Sequence, residues 1–129
     1  MKAFFTIKFH EDCKNKLLIE TISSILDEKG IKNTAIAKDF EKWGKIKFEP
    51  KELMRITFEE IDKADIVIVE LSEKGVGIGI EAGYSYAKSK PIIVIAKEGA
   101  DISNTLRGIA KKVILYKNMK DLSEKINFL

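Results

Sequence analysis

The sequence predicts an α/β fold of the flavodoxin type, a three-layer sandwich whose five-stranded parallel sheet has the order 2-1-3-4-5. Short, apolar, β-branched runs alternate along the chain with segments whose apolar residues recur at helical spacing. That alternation is typical of a parallel sheet covered by helices on both faces. Residues 65–71 are almost wholly apolar, which suits a central strand buried on both sides. A chain of 129 residues is expected to form one domain, residues 1–129.

The first strand is predicted over residues 3–9, where apolar and polar side chains alternate. A polar loop follows at residues 10–12, and Asp12 is a suitable N-cap for the first helix. Apolar residues recur at helical spacing over residues 13–29, and Gly30 is expected to end that helix.

The second strand is predicted over residues 33–37. Residues 38–50 have no clean period, which indicates a long excursion over the surface. This segment is either a lid or a solvated loop with Trp43 packed onto the core. Residues 51–63 are predicted to form the second helix.

The third strand, residues 65–71, leads into a glycine-rich loop with Gly75, Gly77 and Gly79. A helix is predicted from about Gly79 to before Pro91, with Glu81 in its first turn. The remaining elements are a strand at 92–96, a short helix or turn at 102–110, a strand at 112–116 and a helix at 119–128.

A strand, a glycine loop and a helix together place backbone N–H groups at the carboxyl edge of a sheet, where ligands bind in this strand order. That edge is predicted to carry His10, Asp12, Glu70, Lys74 and Glu81. Two structural explanations compete with a ligand site. A glutamate in a first helical turn complements the helix dipole, and glycines can simply allow close packing.

Residues 77–82 also fit the dinucleotide fingerprint G-x-G-x-x-G/A, with Glu98 near the position of a ribose-binding acid. That fingerprint follows the first strand of its domain, whereas this loop follows the third. Too little chain remains after the loop for the other strands. The context therefore disfavours a dinucleotide site.

Composition excludes several classes of function. The net charge of +3 is mild and the lysines are scattered, so nucleic-acid binding is not indicated, while anionic small molecules are compatible. The N-terminus lacks signal-peptide anatomy and no apolar run reaches membrane-spanning length, which predicts a cytoplasmic protein. The single Cys13 cannot form an internal disulfide, and with the single His10 no metal site is expected. We also expect no cofactor.

Residues 64–87 resemble the nucleoside 2-deoxyribosyltransferase family, which includes the 2'-deoxynucleoside 5'-monophosphate N-glycosidases. The matching motifs are Asp-Ile-Val-Ile-Val-Glu and Gly-Val-Gly-Ile-Gly-Ile-Glu-Ala-Gly-Tyr-Ser-Tyr-Ala. The likeness continues through residues 90–92 and 103–108. It implies cleavage or transfer of the N-glycosidic bond of a (deoxy)nucleoside or its 5'-monophosphate.

The resemblance further implies that Glu81 is the nucleophile that attacks the anomeric carbon. It implies that Ser103 and Asn104 reach into the site of a neighbouring subunit, and hence a homodimer or larger assembly. The chain departs from the family at Thr57, where the family has an aspartate, and at Gly75, where it has a Ser or Asp that binds the 5' end of the sugar. Leaving-group assistance and 5' recognition are the steps that these departures affect.

Residues 5–12 and 29–31 look more like a TIR domain, and some TIR domains hydrolyse the nicotinamide N-glycosidic bond of NAD, with a glutamate that would fall near Glu81. The alternatives are therefore a TIR-like NAD glycohydrolase and a non-catalytic nucleotide-binding module that retains the fold.

A nucleophilic carboxylate must be ionised at neutral pH, and a helix N-terminus with glycine N–H groups is expected to lower the pKa of Glu81. Glu70 is predicted to be the second catalytic group, since a carboxylate at the end of a buried strand is unusual without a partner. Other candidates to protonate the base are His10, Asp12 and Glu60. The residues expected to contact substrate are His10, Thr57, Lys74 (as a 5'-phosphate ligand), Gly75, Gly77, Gly79, Ser103 and Asn104, with Tyr84 and Tyr86 as aromatic platforms for a base.

Overall fold

The structure, a computed structural model, describes residues 1–127 and contains a five-stranded parallel sheet with the order β2-β1-β3-β4-β5. The predicted fold class and strand order are confirmed. The elements in chain order are β1 (Lys2–Thr6), α1 (Lys16–Glu28), β2 (Lys32–Thr34), α2 (Ile36–Asp39), α3 (Pro50–Lys63), β3 (Ile66–Glu70), α4 (Val76–Ala87), β4 (Ile92–Lys97), α5 (Asn104–Ile109), β5 (Lys112–Tyr116) and α6 (Met119–Lys125).

The sheet separates two hydrophobic cores, because successive residues of a strand point to opposite faces. On one face Phe5 and Ile68 pack with residues of α1 and α6. On the other face Phe4 and Val67 pack with residues of α3, α4 and α5. Every residue of β3 is buried, as predicted for the central strand. The two faces matter for function because they divide the candidate site residues between them.

The end of β1 differs from the prediction, which continued the strand to residue 9. β1 ends at Thr6, which pairs with Val69 of β3. The neighbouring strands give no further support, since β2 ends opposite Phe4 and β3 ends at Glu70. Residues 7–9 therefore leave the sheet and become available to line cavities at its carboxyl edge.

The predicted N-cap of α1 was wrong. The side chain of Asp12 accepts a hydrogen bond from the N–H of Lys14 at 3.0 Å, within a turn. Cys13 has a φ of +61°, which a helix does not accommodate, and α1 begins only at Lys16. Asn15, at the N-cap position, instead stabilises the preceding loop. Its side-chain amide donates a hydrogen bond to the carbonyl of Lys8 and accepts one from the N–H of His10.

β2 is shorter than predicted, and the chain turns into α2 at Ile36. The carboxylate of Asp39 accepts a hydrogen bond from the N–H of Ala35 at 2.8 Å, which stabilises the start of this short helix. Residues 40–49 have no regular structure. Trp43 in this segment is partly buried against the α1 side of the core, as in the second of the two predicted alternatives.

The first turn of α4 contains the glycines that were predicted to form a loop. Gly75 is the N-cap and the helix runs from Val76 to Ala87. Glu81 consequently lies in the second turn, and its predicted place in the first turn was wrong.

The helix predicted over residues 119–128 ends at Lys125, and residue 128 lies outside the described part of the chain. β5 has the predicted bounds. None of the helices within residues 1–127 has the length and hydrophobicity required to span a bilayer.

Candidate functional site

A cavity of about 180 Å³ lies at the carboxyl end of β1, between the start of α2, α3 and α4. We call it the Glu81 cavity. Its walls are mostly apolar and are contributed by residues 4–7 and 9, residues 35–37, Leu53, Met54 and Gly77. Its polar side chains are Thr6, Glu41, Thr57 and Glu81. A mostly apolar lining with a few convergent polar groups is typical of a ligand site.

Glu81 is partly buried, and its Oε2 accepts a hydrogen bond of 3.1 Å from the hydroxyl of Thr6. Burial raises its pKa from 4.5 to about 7, an effect that the Thr6 hydrogen bond opposes and the nearby Glu41 carboxylate reinforces. The predicted direction of this shift was wrong. The dipole effect is confined to the first helical turn, and Glu81 lies beyond it, so desolvation prevails.

A second cavity, of about 560 Å³, adjoins the first and shares Phe9 and Glu41 with it. We call it the aromatic cavity. Its other walls come from Glu11 in the loop after β1 and from the irregular segment after α2, which contributes Trp43, Phe48 and Lys47 among others. The rings of Phe9 and Trp43 lie 5.9 Å apart between centroids and are tilted by 51°. Aromatic faces of this kind can stack on a planar ligand.

Glu70 lies on the opposite face of the sheet from Glu81 and is 1% exposed. Its two carboxylate oxygens accept hydrogen bonds from the N–H and hydroxyl of Ser72, at 2.6 and 2.7 Å, and from the hydroxyl of Tyr116. Burial and the Glu70 carboxylate both raise the pKa of Tyr116. The hydroxyl of Ser72 also accepts the N–H of Lys97 at 2.9 Å. Glu70 therefore has the hydrogen-bonding partners expected for a buried carboxylate. This network of hydrogen bonds links β3 to β4 and β5.

Glu70 and His10 line a third cavity, of about 410 Å³, which also includes Lys8, Lys14 and Lys97. Nε2 of His10 lies 2.5 Å from Oε2 of Glu73, and this hydrogen bond lowers the pKa of Glu73. The predicted catalytic pair of Glu70 and Glu81 thus faces two different cavities.

The glycines and the residues near α5 have diverse positions. Gly77 lines the Glu81 cavity, whereas Gly75 caps α4 and Gly79 is exposed. Lys74 forms an exposed ion pair of 2.7 Å with Asp101. Ser103 is the N-cap of α5 and Asn104 is exposed at its first position. Neither of these two residues lines the Glu81 cavity of its own chain.

The candidate site residues on α3 and α4 also differ in whether they line the Glu81 cavity. Thr57 lines the Glu81 cavity, but its hydroxyl donates to the carbonyl of Leu53 at 2.8 Å. Glu60 forms ion pairs with Lys63 and Lys2. Tyr84 stacks on Phe58 and donates to Asp62, and Tyr86 is exposed. Neither tyrosine lines the Glu81 cavity or the aromatic cavity.

Sequence reasoning missed Thr6 and Glu41. The alternation of β1 could have indicated Thr6, because it shares a sheet face with Phe4 and stands at the carboxyl end of a strand next to β3. Nothing in the local pattern indicated Glu41, which belongs to the segment without a period.

The chain is similar to "Putative 2'-deoxynucleoside 5'-phosphate N-hydrolase 1" of Thermofilum pendens, with 25% identity over 83 residues. This match covers 60% of the chain and spans 58% of the relative's length. The chain matches no protein-family model.

Two solved structures share the fold over nearly the whole chain. The Clostridium botulinum CMP N-glycosidase has a TM-score of 0.69 and 21% identity, and 98% of each chain is covered. The 2-deoxyribosyltransferase of Bacillus psychrosaccharolyticus has a TM-score of 0.74 and 17% identity, with 99% of this chain and 93% of that one covered. These similar proteins confirm the resemblance that the motifs indicate. At 21% and 17% identity, the two solved structures show the shared fold alone.

Proposed function

We propose that this protein is an enzyme that cleaves or transfers the N-glycosidic bond of a (deoxy)nucleoside or its 5'-monophosphate, with Glu81 as the nucleophile. The observation that carries the proposal is the position of Glu81. This partly buried carboxylate lines a cavity at the carboxyl edge of the sheet and accepts a hydrogen bond from the Thr6 hydroxyl. The names of the similar proteins supply the kind of bond, since they include N-glycosidases and a 2-deoxyribosyltransferase.

The reaction would proceed in two displacements at the anomeric carbon. An oxygen of ionised Glu81 forms a bond to C1' while the bond from C1' to the base nitrogen breaks, and the electron pair leaves with the base. Water, or a second base in a transferase, then attacks C1' and releases the Glu81 carboxylate. The positive charge that develops on the sugar favours ionised Glu81 and so offsets the raised pKa of this carboxyl.

The two adjoining cavities suit the two halves of a nucleoside. The Glu81 cavity is smaller than a usual ligand pocket of ~300–1,000 Å³ and has room for a single ring. We place the sugar there, against Glu81, and the base in the aromatic cavity beside Trp43 and Phe9. In this placement Trp43 and Phe9 replace the predicted Tyr84 and Tyr86 as the aromatic platform for the base.

We further propose a homodimer in which Ser103 and Asn104 approach the partner's 75–81 segment. One supporting observation is the outer face of α4, where Val76 is 83% exposed and Ile80 is 49% exposed. Gly79, on the same face, is exposed with open space beside it, which would allow a second copy to approach closely. Apolar residues exposed together on one helix face are typical of an interface.

The test is release of free base from a panel of nucleosides, deoxynucleosides, their 5'-monophosphates and NAD, measured by chromatography. Mass spectrometry of the protein during turnover should show a covalent sugar adduct. Release from NAD alone would favour the TIR-like activity instead. Binding without turnover across the panel would favour a nucleotide-binding module, and the proposed reaction would be wrong.

A further inference from the structure

The ionisable residues that line the Glu81 cavity are two carboxylates, Glu41 and Glu81, among the described residues 1–127. They come from different elements, Glu41 from the segment after α2 and Glu81 from α4. Glu41 also lines the aromatic cavity, which Glu81 does not. Glu41 therefore stands at the junction of the two cavities. A nucleoside placed with its sugar in one and its base in the other has its glycosidic bond at that junction.

The backbone of Glu41 is held firmly although it lies outside regular structure. Its N–H donates to the carbonyl of Ile36 at 2.9 Å. Its carbonyl accepts the N–H groups of Gly44 at 3.0 Å and Ile46 at 2.9 Å. A side chain on such an anchored turn can keep a fixed position relative to Glu81, which catalysis requires.

The carboxyl of Glu41, by contrast, is not engaged. Within residues 1–127, no side chain forms an ion pair or hydrogen bond with it, and burial alone raises its pKa. A partly buried carboxyl with no protein partner that faces a cavity is available to a ligand. Thr57, at the position where the resembling family has an aspartate, cannot supply a proton of comparable acidity.

We propose that Glu41 is the general acid that protonates the departing base, an inference that rests on the proposed N-glycosidic function. In the first displacement, the proton of the Glu41 carboxyl moves to the base as the bond to C1' breaks and the bond from Glu81 to C1' forms. The neutral base leaves, and Glu41 becomes a carboxylate. In the second, Glu41 removes a proton from the attacking water as the ester bond to Glu81 breaks, and both carboxyls return to their first state.

The two carboxyls share one proton in the active form, as in other catalytic carboxylate pairs. Burial raises the pKa values of both carboxyls. The developing cationic sugar lies against Glu81, which favours the distribution with Glu81 ionised and Glu41 protonated. Glu11 and Lys47 line the aromatic cavity and are the other charged groups that face Glu41 there.

The decisive experiment compares Glu41→Gln and Glu81→Gln on two classes of substrate. The first class is the nucleoside or nucleotide that the wild type hydrolyses. The second has the same sugar but a leaving group that needs no proton, N7-methylguanine or 4-nitrophenolate. The matched control is Glu49→Gln, because Glu49 is exposed and lines neither cavity.

Glu41→Gln should lower kcat on the first class by about 10²–10⁴-fold and on the second by less than about 10-fold. Glu81→Gln should abolish turnover of both classes, and Glu49→Gln should change neither. A loss of less than about 10-fold on ordinary substrates in Glu41→Gln would overturn the assignment, as would an equal loss on both classes. Wild-type inactivity on both classes would instead overturn the proposed function, and the role of Glu41 with it.

A readout that does not depend on turnover is the titration of Glu81 itself, followed by carboxyl ¹³C NMR. Glu41→Gln should lower the pKa of Glu81, because it removes a neighbouring carboxylate that raises it. An unchanged titration of Glu81 would contradict the shared proton.

Discussion

The hydroxyl of Thr6 donates a hydrogen bond of 3.1 Å to the carboxylate of Glu81, across 75 residues of sequence. The bond joins the last residue of β1 to the second turn of α4. It is the hydrogen bond that stabilises the ionised form of Glu81 against the desolvation that raises its pKa. Thr6 is itself buried, so its hydroxyl has little access to water. Buried polar groups are hydrogen-bonded in folded proteins, which favours retention of the bond to Glu81.

Thr6→Val, a nearly isosteric change, should therefore raise the pKa of Glu81 further. Hydrogen bonds to charged groups contribute ~1.5–3 kcal/mol, so kcat/KM at neutral pH should fall by roughly 10-fold or more. The measurements are base release and the carboxyl ¹³C titration of Glu81. Thr21→Val is the matched control, since the Thr21 hydroxyl on α1 donates only to the carbonyl of Leu17 in its own helix. A faster Thr6→Val enzyme would contradict the role of this bond.

Glu81→Gln should retain the fold and lose base release by several orders of magnitude, because an amide does not form the glycosyl ester. Chromatography of released base measures the loss, and circular dichroism verifies the fold. Glu98→Gln is the control, and full activity in that variant would also speak against a dinucleotide site that uses Glu98. Turnover that survives in Glu81→Gln would remove Glu81 from the mechanism.

The same variant should alter how stability depends on pH. The folded protein holds the Glu81 proton more tightly than the unfolded chain does, because its pKa is about 7 in place of 4.5. The stabilising contribution of the protonated carboxyl is therefore fully present below pH 4.5 and is lost as pH rises through 7.

Relative to Glu81→Gln, the free energy of unfolding of the wild type should fall by up to about 3 kcal/mol between pH 4.5 and 8. Urea denaturation at several pH values measures this difference. Parallel curves for the two proteins would show that Glu81 titrates normally in the fold.

Glu70 should act on stability more than on chemistry. Tyr116→Phe removes one of the three hydrogen-bond donors to the buried Glu70 carboxylate and should destabilise the fold by about 1–3 kcal/mol. Its kcat should remain within a few-fold of the wild type, because Tyr116 and Glu70 do not line the Glu81 cavity. A large drop in kcat with unchanged stability would instead support the predicted catalytic role of Glu70 beside Glu81.

Val76→Glu should separate the proposed homodimer, because it places a charge on the exposed apolar face of α4. Light scattering at micromolar concentration should show a monomer. Leu17→Glu, on α1, is the matched control, as Leu17 is similarly exposed. A wild type that is already monomeric would exclude the assembly, and an unaffected dimer would place its interface elsewhere.

The amino-acid sequence by itself determined the fold class, the strand order and the place of Glu81 in the helix after the central strand. These features follow from local patterns, since buried parallel strands need continuous apolar runs and helices need apolar residues at their own period. β5 and α3 were accordingly predicted within a residue of their bounds.

Only the tertiary structure decided the electrostatics of the site. The partners of Glu81 are Thr6, from a strand distant in sequence, and Glu41, from a segment without periodicity. Glycines predicted to form a loop became the first turn of α4, which moved Glu81 away from the helix N-terminus. Burial and long-range neighbours then set its pKa, and both depend on how the elements pack together, which no local pattern encodes.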